Sequence, residues 1–355
     1  MRRQILCAAV VAASLALCAS QALAAARTFV ASTGNDANPC SVSAPCRTFG
    51  AALAATAVGG EVLVLDSAGY GAVNITQAAS IIAPSGVYAG ISVSSGQGVV
   101  VNAAGANVVL RGLTITGVGG TDGISVQSAA RVYIDNCVVS GMSNDGIKIT
   151  GPTDVSIIDG ATRENAYAGV EIDGADVTVE RLHIHKSIAG VRISGNTNVT
   201  IHDSVVSGNS TGVEINYGSA PADSRTVVAI SESVIERNAG YGVYASAGSY
   251  GNATDVSVVR SSITRNGYGL YVEAFSNALK GVLSSTDNDV SLNTLAGLRA
   301  GTYATLIASR NTVTRNLVGL WVDFNGHFLT RGDNTVEKND TDLHLDDPLT
   351  PISGK

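Results

Sequence analysis

Lys148, Glu171, Arg192 and Glu214 are the residues whose types and spacing most directly suggest chemistry. They lie 23, 21 and 22 positions apart, and each stands between two apolar residues. A carboxylate pair can act as general acid and base on a glycosidic bond. A Lys or Arg can serve as base or charge neutraliser in a β-elimination. Asp173, two positions after Glu171, extends the set. Further along, the same spacing carries Tyr244, Tyr271, Arg299 and Trp321, with Glu273 and Asp323 two residues after Tyr271 and Trp321. Aromatic faces stack on sugar rings, and neighbouring charged groups bond sugar hydroxyls. Both sets also have a structural reading. Opposite charges on adjacent strands contribute a few tenths to ~1 kcal/mol per pair, and aromatics favour strands anyway. For the charged set the structural account is the stronger. For the aromatic set the two stand level, because a chain only 5% aromatic places these rings on one line.

These positions are tied together by a repeat. Gly-apolar-x-apolar recurs from Gly123-Ile-Ser-Val to Gly319-Leu-Trp-Val, and Asp342-Leu-His-Leu fills the slot once more without Gly. The intervals are 23, 23, 21, 22, 30, 27, 28, 22 and 23 residues. Further alternating apolar segments, such as Asn198-Val-Thr-Ile, lie within each interval. Alternation of this kind means strands, and three short strands with their turns use up about 22 residues, leaving no room for a helix. The chain must therefore wind into stacked coils at the ~4.8 Å strand spacing. The expected fold is all-β, a right-handed parallel β-helix of about 10–12 coils with three strands per coil. Two carboxylates two coils apart would then be ~9.6 Å apart, near the upper end for an inverting pair.

Within each coil x faces outward. Stacking makes one column of Ser125, Lys148, Glu171, Arg192, Glu214, Tyr244, Tyr271, Arg299, Trp321 and His344, with Asp173, Glu273 and Asp323 in a column beside it. Asn165, Asn209, Asn238, Asn266, Asn293, Asn316 and Asn339 precede the repeat slot by three or four residues. Asn suits tight turns and can bond its equivalent one coil on, so an amide ladder is expected along one edge. The three long intervals predict loops at 217–225, 245–254 and 274–280, walling the aromatic stretch.

Charge and hydropathy narrow the function classes. Acidic residues outnumber basic ones 29 to 22, which argues against a nucleic-acid partner. Arg2 and Arg3, the apolar stretch from Ile5 to Ala19, and Ala22-Leu23-Ala24 predict a secretory leader over residues 1–24. No later apolar run is long enough to span a bilayer. Export to the periplasm or medium favours a Cys40–Cys46 disulfide across a short loop. Cys137 lies in an apolar strand pattern and reads as a buried small hydrophobe. Residues 48–57 carry apolar side chains at helical spacing and suit a short helix capping the first coil. The expected organisation is a leader (1–24), an N-terminal cap with the disulfide loop (25–60), the β-helix (61–347) and a tail (348–355). His183, His185, Glu180 and His202 make a metal site conceivable only if they converge. Lys186, Arg237, Arg265, Arg315 and Lys338 form a sparse basic column that reads as a solvated edge.

The Gly-apolar-x-apolar coils with Asn-rich turns resemble the right-handed parallel β-helix repeats of the pectin-lyase-like superfamily. The opening Thr28-Phe29-Val30-Ala31-Ser32-Thr33-Gly34-Asn35-Asp36 with Pro45-Cys46-Arg47-Thr48-Phe49 is similar to the start of many secreted bacterial β-helix proteins. The likeness covers roughly residues 27–347. The chain lacks the Asn-Thr-Asp, Gly-His-Gly and Arg-Ile-Lys motifs of polygalacturonases. The resemblance implies a polysaccharide partner on the outward strand face. Substrate binding falls to Tyr244, Tyr271, Glu273, Arg299, Trp321 and Asp323, and any catalysis to Lys148, Glu171, Asp173, Arg192 and Glu214. No cofactor is expected, save calcium if the chain is a lyase, and the chain should be a monomer. A lyase, a hydrolase and an inert surface scaffold remain the alternatives to a binder.

Overall fold

The computed structural model of the protein describes residues 24–215, 224–248, 253–276 and 280–352. The leader up to residue 23, Asn216, and much of the three expected loops lie outside the described residues. Strands recur with the period of the repeat and pair in parallel with their counterparts one coil on. One series forms a 12-stranded sheet running from Val73–Ile75 to Thr341–Leu345. The others form a 24-stranded sheet in which two series run side by side. Asp176–Glu180 pairs with Thr197–His202, and His183–His185 with Val205–Ser207.

Alternation makes the core. In Thr197–His202 the side chains are alternately buried and exposed, with Val199 and Ile201 turned inward. Val, Ile and Leu from successive coils fill the lumen, each fully buried side chain contributing roughly 1.5–3 kcal/mol. The repeated Gly is required by close approach. A Cβ on Gly212 would lie 2.5 Å from the Gly242 carbonyl oxygen and 2.8 Å from Asn238 Nδ2.

The turn before this Gly holds the Asn ladder. Asn209, Asn238, Asn266, Asn293 and Asn316 are buried, and each donates its Nδ2 to the Oδ1 of the next Asn at 2.9–3.2 Å. The same Oδ1 atoms accept the backbone N–H of the preceding rung, as Asn293 does from Asn266 at 2.9 Å. A second, unexpected ladder runs along another corner, through Ser204, Ser233, Ser261, Asn288, Asn311 and Asn334. The basic column also has a backbone role. Lys186, Arg237, Arg265, Arg315 and Lys338 adopt φ of 54–59°, and the Arg237 and Arg315 N–H groups donate to carbonyls one coil on at 3.1 Å. Each such turn costs on the order of 1 kcal/mol, and the long basic side chain leaves the corner towards solvent.

At the N-terminal end Ala25–Val30 already pairs with Thr56–Val64. Cys40 and Cys46 are bonded. A seven-residue helix, Phe49–Ala55, buries Phe49, Ala52 and Leu53 and is N-capped by Thr48, whose hydroxyl accepts from the Ala51 N–H. At the other end the final strand of the 12-stranded sheet, Thr341–Leu345, is exposed throughout.

Candidate functional site

The outward column forms in the expected register. Ser125, Lys148, Glu171, Arg192, Glu214, Tyr244, Tyr271, Arg299, Trp321 and His344 are direct cross-strand partners along the 12-stranded sheet. Asp173 stands beside Ser194, and Glu273 beside Ser246, in the neighbouring column. In three coils the residue before the repeat Gly sits against the outward residue of its own coil: Asp145 against Lys148, Tyr241 against Tyr244 and Tyr268 against Tyr271. Asp122, Asp145, Tyr241 and Tyr268 occupy that position, and reading the repeat one residue further upstream would have found them.

In the N-terminal half this face is ionic. Lys148 Nζ lies 3.3 Å from Asp145 Oδ2 and 3.5 Å from Glu171 Oε1, and Arg192 Nε lies 3.4 Å from Glu214 Oε2. The Arg192 guanidinium also covers the Tyr167 ring at 4.8 Å. Asp145 is fully buried, accepting from the Ala168 N–H and from Asn144 Nδ2. Asn144 Nδ2 also donates to Asp122, which takes a further bond from Gln97. Burial pushes the Asp145 carboxyl up to about 7, and its hydrogen bond and repulsion with Glu171 push the same way, against the pull of Lys148. Glu171 Oε2 is buried without a hydrogen-bond partner. Burial acts to lower the Lys148 pKa, but Glu171 and Asp145 outweigh it and hold the ammonium above the ordinary lysine range.

In the C-terminal half the face is aromatic. Tyr241 stacks on Tyr244, Tyr268 and Tyr271 at centroid distances of 4.8, 5.3 and 5.7 Å. The Tyr244 and Tyr271 hydroxyls donate to the two oxygens of Glu273, and burial followed by this carboxylate raises both phenol pKa values. The Arg299 guanidinium lies 4.6 Å from the Tyr271 ring and 4.5 Å from Trp321, and donates to Asp323 through Nε and Nη2 and to the Tyr268 hydroxyl. Trp321 in turn contacts His344 at 4.7 Å.

One expectation changes here. Tyr244, Tyr271 and Trp321 were expected as open ring faces on a flat sheet. Tyr271 is only 6% exposed, because Tyr241, Tyr244, Tyr268 and Arg299 pack around it. Much of the ring surface is spent on other rings, leaving phenol oxygens, carboxylates and the partly open Tyr241, Tyr244, Tyr268 and Trp321 to meet a partner. His183 and His185 pair with strand positions other than those of Glu180 and His202. Among the described residues no group of three or more His, Cys, Asp or Glu side chains is placed to hold a metal ion. Cys137 is buried, and burial pushes its thiol up to about 12.

Among the described residues no helix is long and apolar enough to cross a membrane. Residues 97–255 match the family described as right handed beta helix region. Comparison with curated protein sequences gave no match. Solved structures resemble the chain at low identity. Pectate lyase Pel9A shares 17% identity at a TM-score of 0.57, over 73% of this chain and 75% of its own. The A-module of Azotobacter vinelandii mannuronan C-5 epimerase AlgE4 shares 16% at 0.58, over 83% and 91%. A rhamnogalacturonan lyase shares 10% at 0.56, over 88% and 86%. At such identities the likeness shows the fold and not the chemistry. On the strength of its repeat, its parallel coils and these matches, the chain folds as a right-handed parallel β-helix.

Proposed function

We propose that the protein is exported and, as a monomer, binds polysaccharide along the outward face of its 12-stranded sheet. The observation that carries this reading is the single cluster of Tyr241, Tyr244, Tyr268, Tyr271, Arg299, Trp321 and His344 over five successive strands. Five strands at the ~4.8 Å spacing make a track of about 20 Å, enough for several sugar units. Aromatic edges and partly open faces meet the apolar sides of sugar rings, while Glu273, Asp323 and the phenols bond hydroxyls. The superfamily's polysaccharide-acting neighbours point the same way. In this reading the solenoid has three strands per coil, and the Phe49–Ala55 helix caps its first coil. Retention in gels loaded with a panel of polysaccharides tests the reading. At least one glycan should retard the protein, and Trp321→Ala should weaken that retention fivefold or more. No retention on any glycan, or unchanged retention in both Trp321→Ala and Arg299→Ala, would sink it.

A second reading, cleavage of the bound chain, is favoured by Asp145, a buried carboxyl whose pKa is pushed up to about 7 beside Lys148 and Glu171. Perturbed carboxyls of this kind gather at catalytic sites, though ion-pair networks produce them too. New reducing ends or unsaturated products from any polysaccharide, lost in Glu171→Gln, would establish it.

A further inference from the structure

The charges on the sheet face say which polysaccharide it accepts, an inference that rests on the binding reading above. In the N-terminal half Asp122, Asp145, Glu171, Asp173 and Glu214 face Lys148 and Arg192. In the C-terminal half Glu273, Asp323 and Asp346 face Arg299. Among the described residues the outward column carries Lys148, Arg192 and Arg299, and each is paired. Lys148 is bonded to Asp145 and lies beside Glu171, Arg192 lies beside Glu214, and Arg299 makes a two-pronged contact with Asp323. Asp173 and Asp346 are exposed, and among the described residues no Lys or Arg forms an ion pair with Asp173. The Asp346 carboxylate has only the His344 imidazole, at 3.8 Å.

A polyuronate laid on this face would bring one carboxylate per sugar against protein carboxylates at intervals of one or two coils, within the ~8 Å screening length of physiological salt. Recognising a uronate calls for an unpaired Arg or Lys or a bridging cation. The cations of the face are each paired with a protein carboxylate, and among the described residues no group of three or more His, Cys, Asp or Glu converges on one point. The groups that remain, the Glu273 and Asp323 carboxylates and the tyrosine hydroxyls, suit uncharged hydroxyls.

We infer that the sheet face selects a neutral, hydroxyl-rich polysaccharide and rejects polyuronates. The competing arrangement is an anionic chain lying along the turn cations Arg237, Arg265, Arg315 and Lys338, of which Arg237 is tied to Glu236 and Lys338 lies 3.4 Å from Glu337.

Affinity electrophoresis of the full-length protein against a β-glucan, a xylan, polygalacturonate and polymannuronate, each at low and high salt and with or without calcium, tests the selection. Retention by a neutral polymer should change less than twofold between 20 and 500 mM salt (~20 and ~500 mM), and polyuronates should bind at least tenfold more weakly at low salt. The double variant Asp173→Asn/Asp346→Asn, whose melting checks that it folds, should gain affinity for polygalacturonate severalfold. Tighter retention by a polyuronate than by every neutral polymer overturns the inference and leaves polysaccharide binding standing. Polyuronate binding as tight as that of a neutral polymer that survives Arg315→Ala, or that appears only with calcium, overturns it equally, whereas binding lost in Arg315→Ala belongs to the turn cations and leaves the sheet-face inference standing. Failure to bind any polymer overturns the binding reading itself.

Discussion

The two halves of one sheet face use the same slots in opposite ways. In the position before the repeat Gly, Asp122 and Asp145 in the early coils give way to Tyr241 and Tyr268 in the later ones. In the outward column, Lys148 and Glu171 give way to Tyr244 and Tyr271. The outward column keeps its cross-strand register through both halves, so within the strands the difference lies in side-chain chemistry, and the longer intervals of the aromatic half add residues between strands. The early half spends its polar groups on one another and traps a proton. The late half builds an aromatic block around a single guanidinium. A β-helix can thus present separate environments within a few coils without altering its fold.

Several substitutions would sharpen or break this contrast. The largest effect is expected in the ladder beneath the aromatic half. Asn266→Ala removes a buried amide bonded to both neighbouring rungs and should cost roughly 3 kcal/mol, since it strands buried donors and acceptors. Ser187, the corresponding ladder residue of the charged half, has a buried hydroxyl without a partner, so Ser187→Ala should be neutral or slightly stabilising. Denaturant melts of the two variants compare them directly.

Next comes Arg299→Ala, which leaves Asp323 unpaired and opens the space between Tyr271 and Trp321. A loss of about 2 kcal/mol in stability is expected, together with most of the glycan retention. If retention survives, the aromatic half is scaffold.

The third prediction concerns the trapped proton. Asp145 binds a proton more tightly folded than unfolded, because burial and Glu171 raise its pKa to about 7. The folded state therefore holds the extra proton between about pH 4 and 7, and stability should fall as pH rises through that window. Asp145→Asn should flatten this part of the stability–pH curve while leaving the tyrosine block untouched. A wild-type curve already flat there would show that the pair is not sharing a proton.

Smallest of all, Arg192→Gln or Glu214→Gln should change stability by no more than about 1 kcal/mol, as expected for a cross-strand ion pair.

The fold was legible because its signal repeats. Gly, alternation and Asn recur together, and one error of register would have misaligned every later coil. The outward column from Ser125 to His344 was readable for the same reason. What the repeat could not convey was how neighbouring side chains share space. Tyr271 looked open because period-2 logic places it outside the coil, but that logic is blind to Tyr241 and Tyr268, which reach over it from the preceding slot. Asp145 escaped notice because it lies outside the four-residue signature. The cationic turns were read as solvent edge, and their left-handed backbone went unanticipated because Arg and Lys seldom adopt it. Ser204, Ser233 and Ser261 escaped because Ser is common everywhere, and only their alignment with Asn288 makes them a ladder.

All amides in the Asn column face one way, each taking from the rung before and giving to the rung after. Such a column has no centre, and its interior members are interchangeable. A whole coil could be excised, joining Asn266 to Asn316 in place of Asn293, and the buried bonding would close again with nothing orphaned. Length is therefore a quantity this architecture can vary in unit steps, and a longer or shorter track for a partner needs only a duplicated or deleted turn.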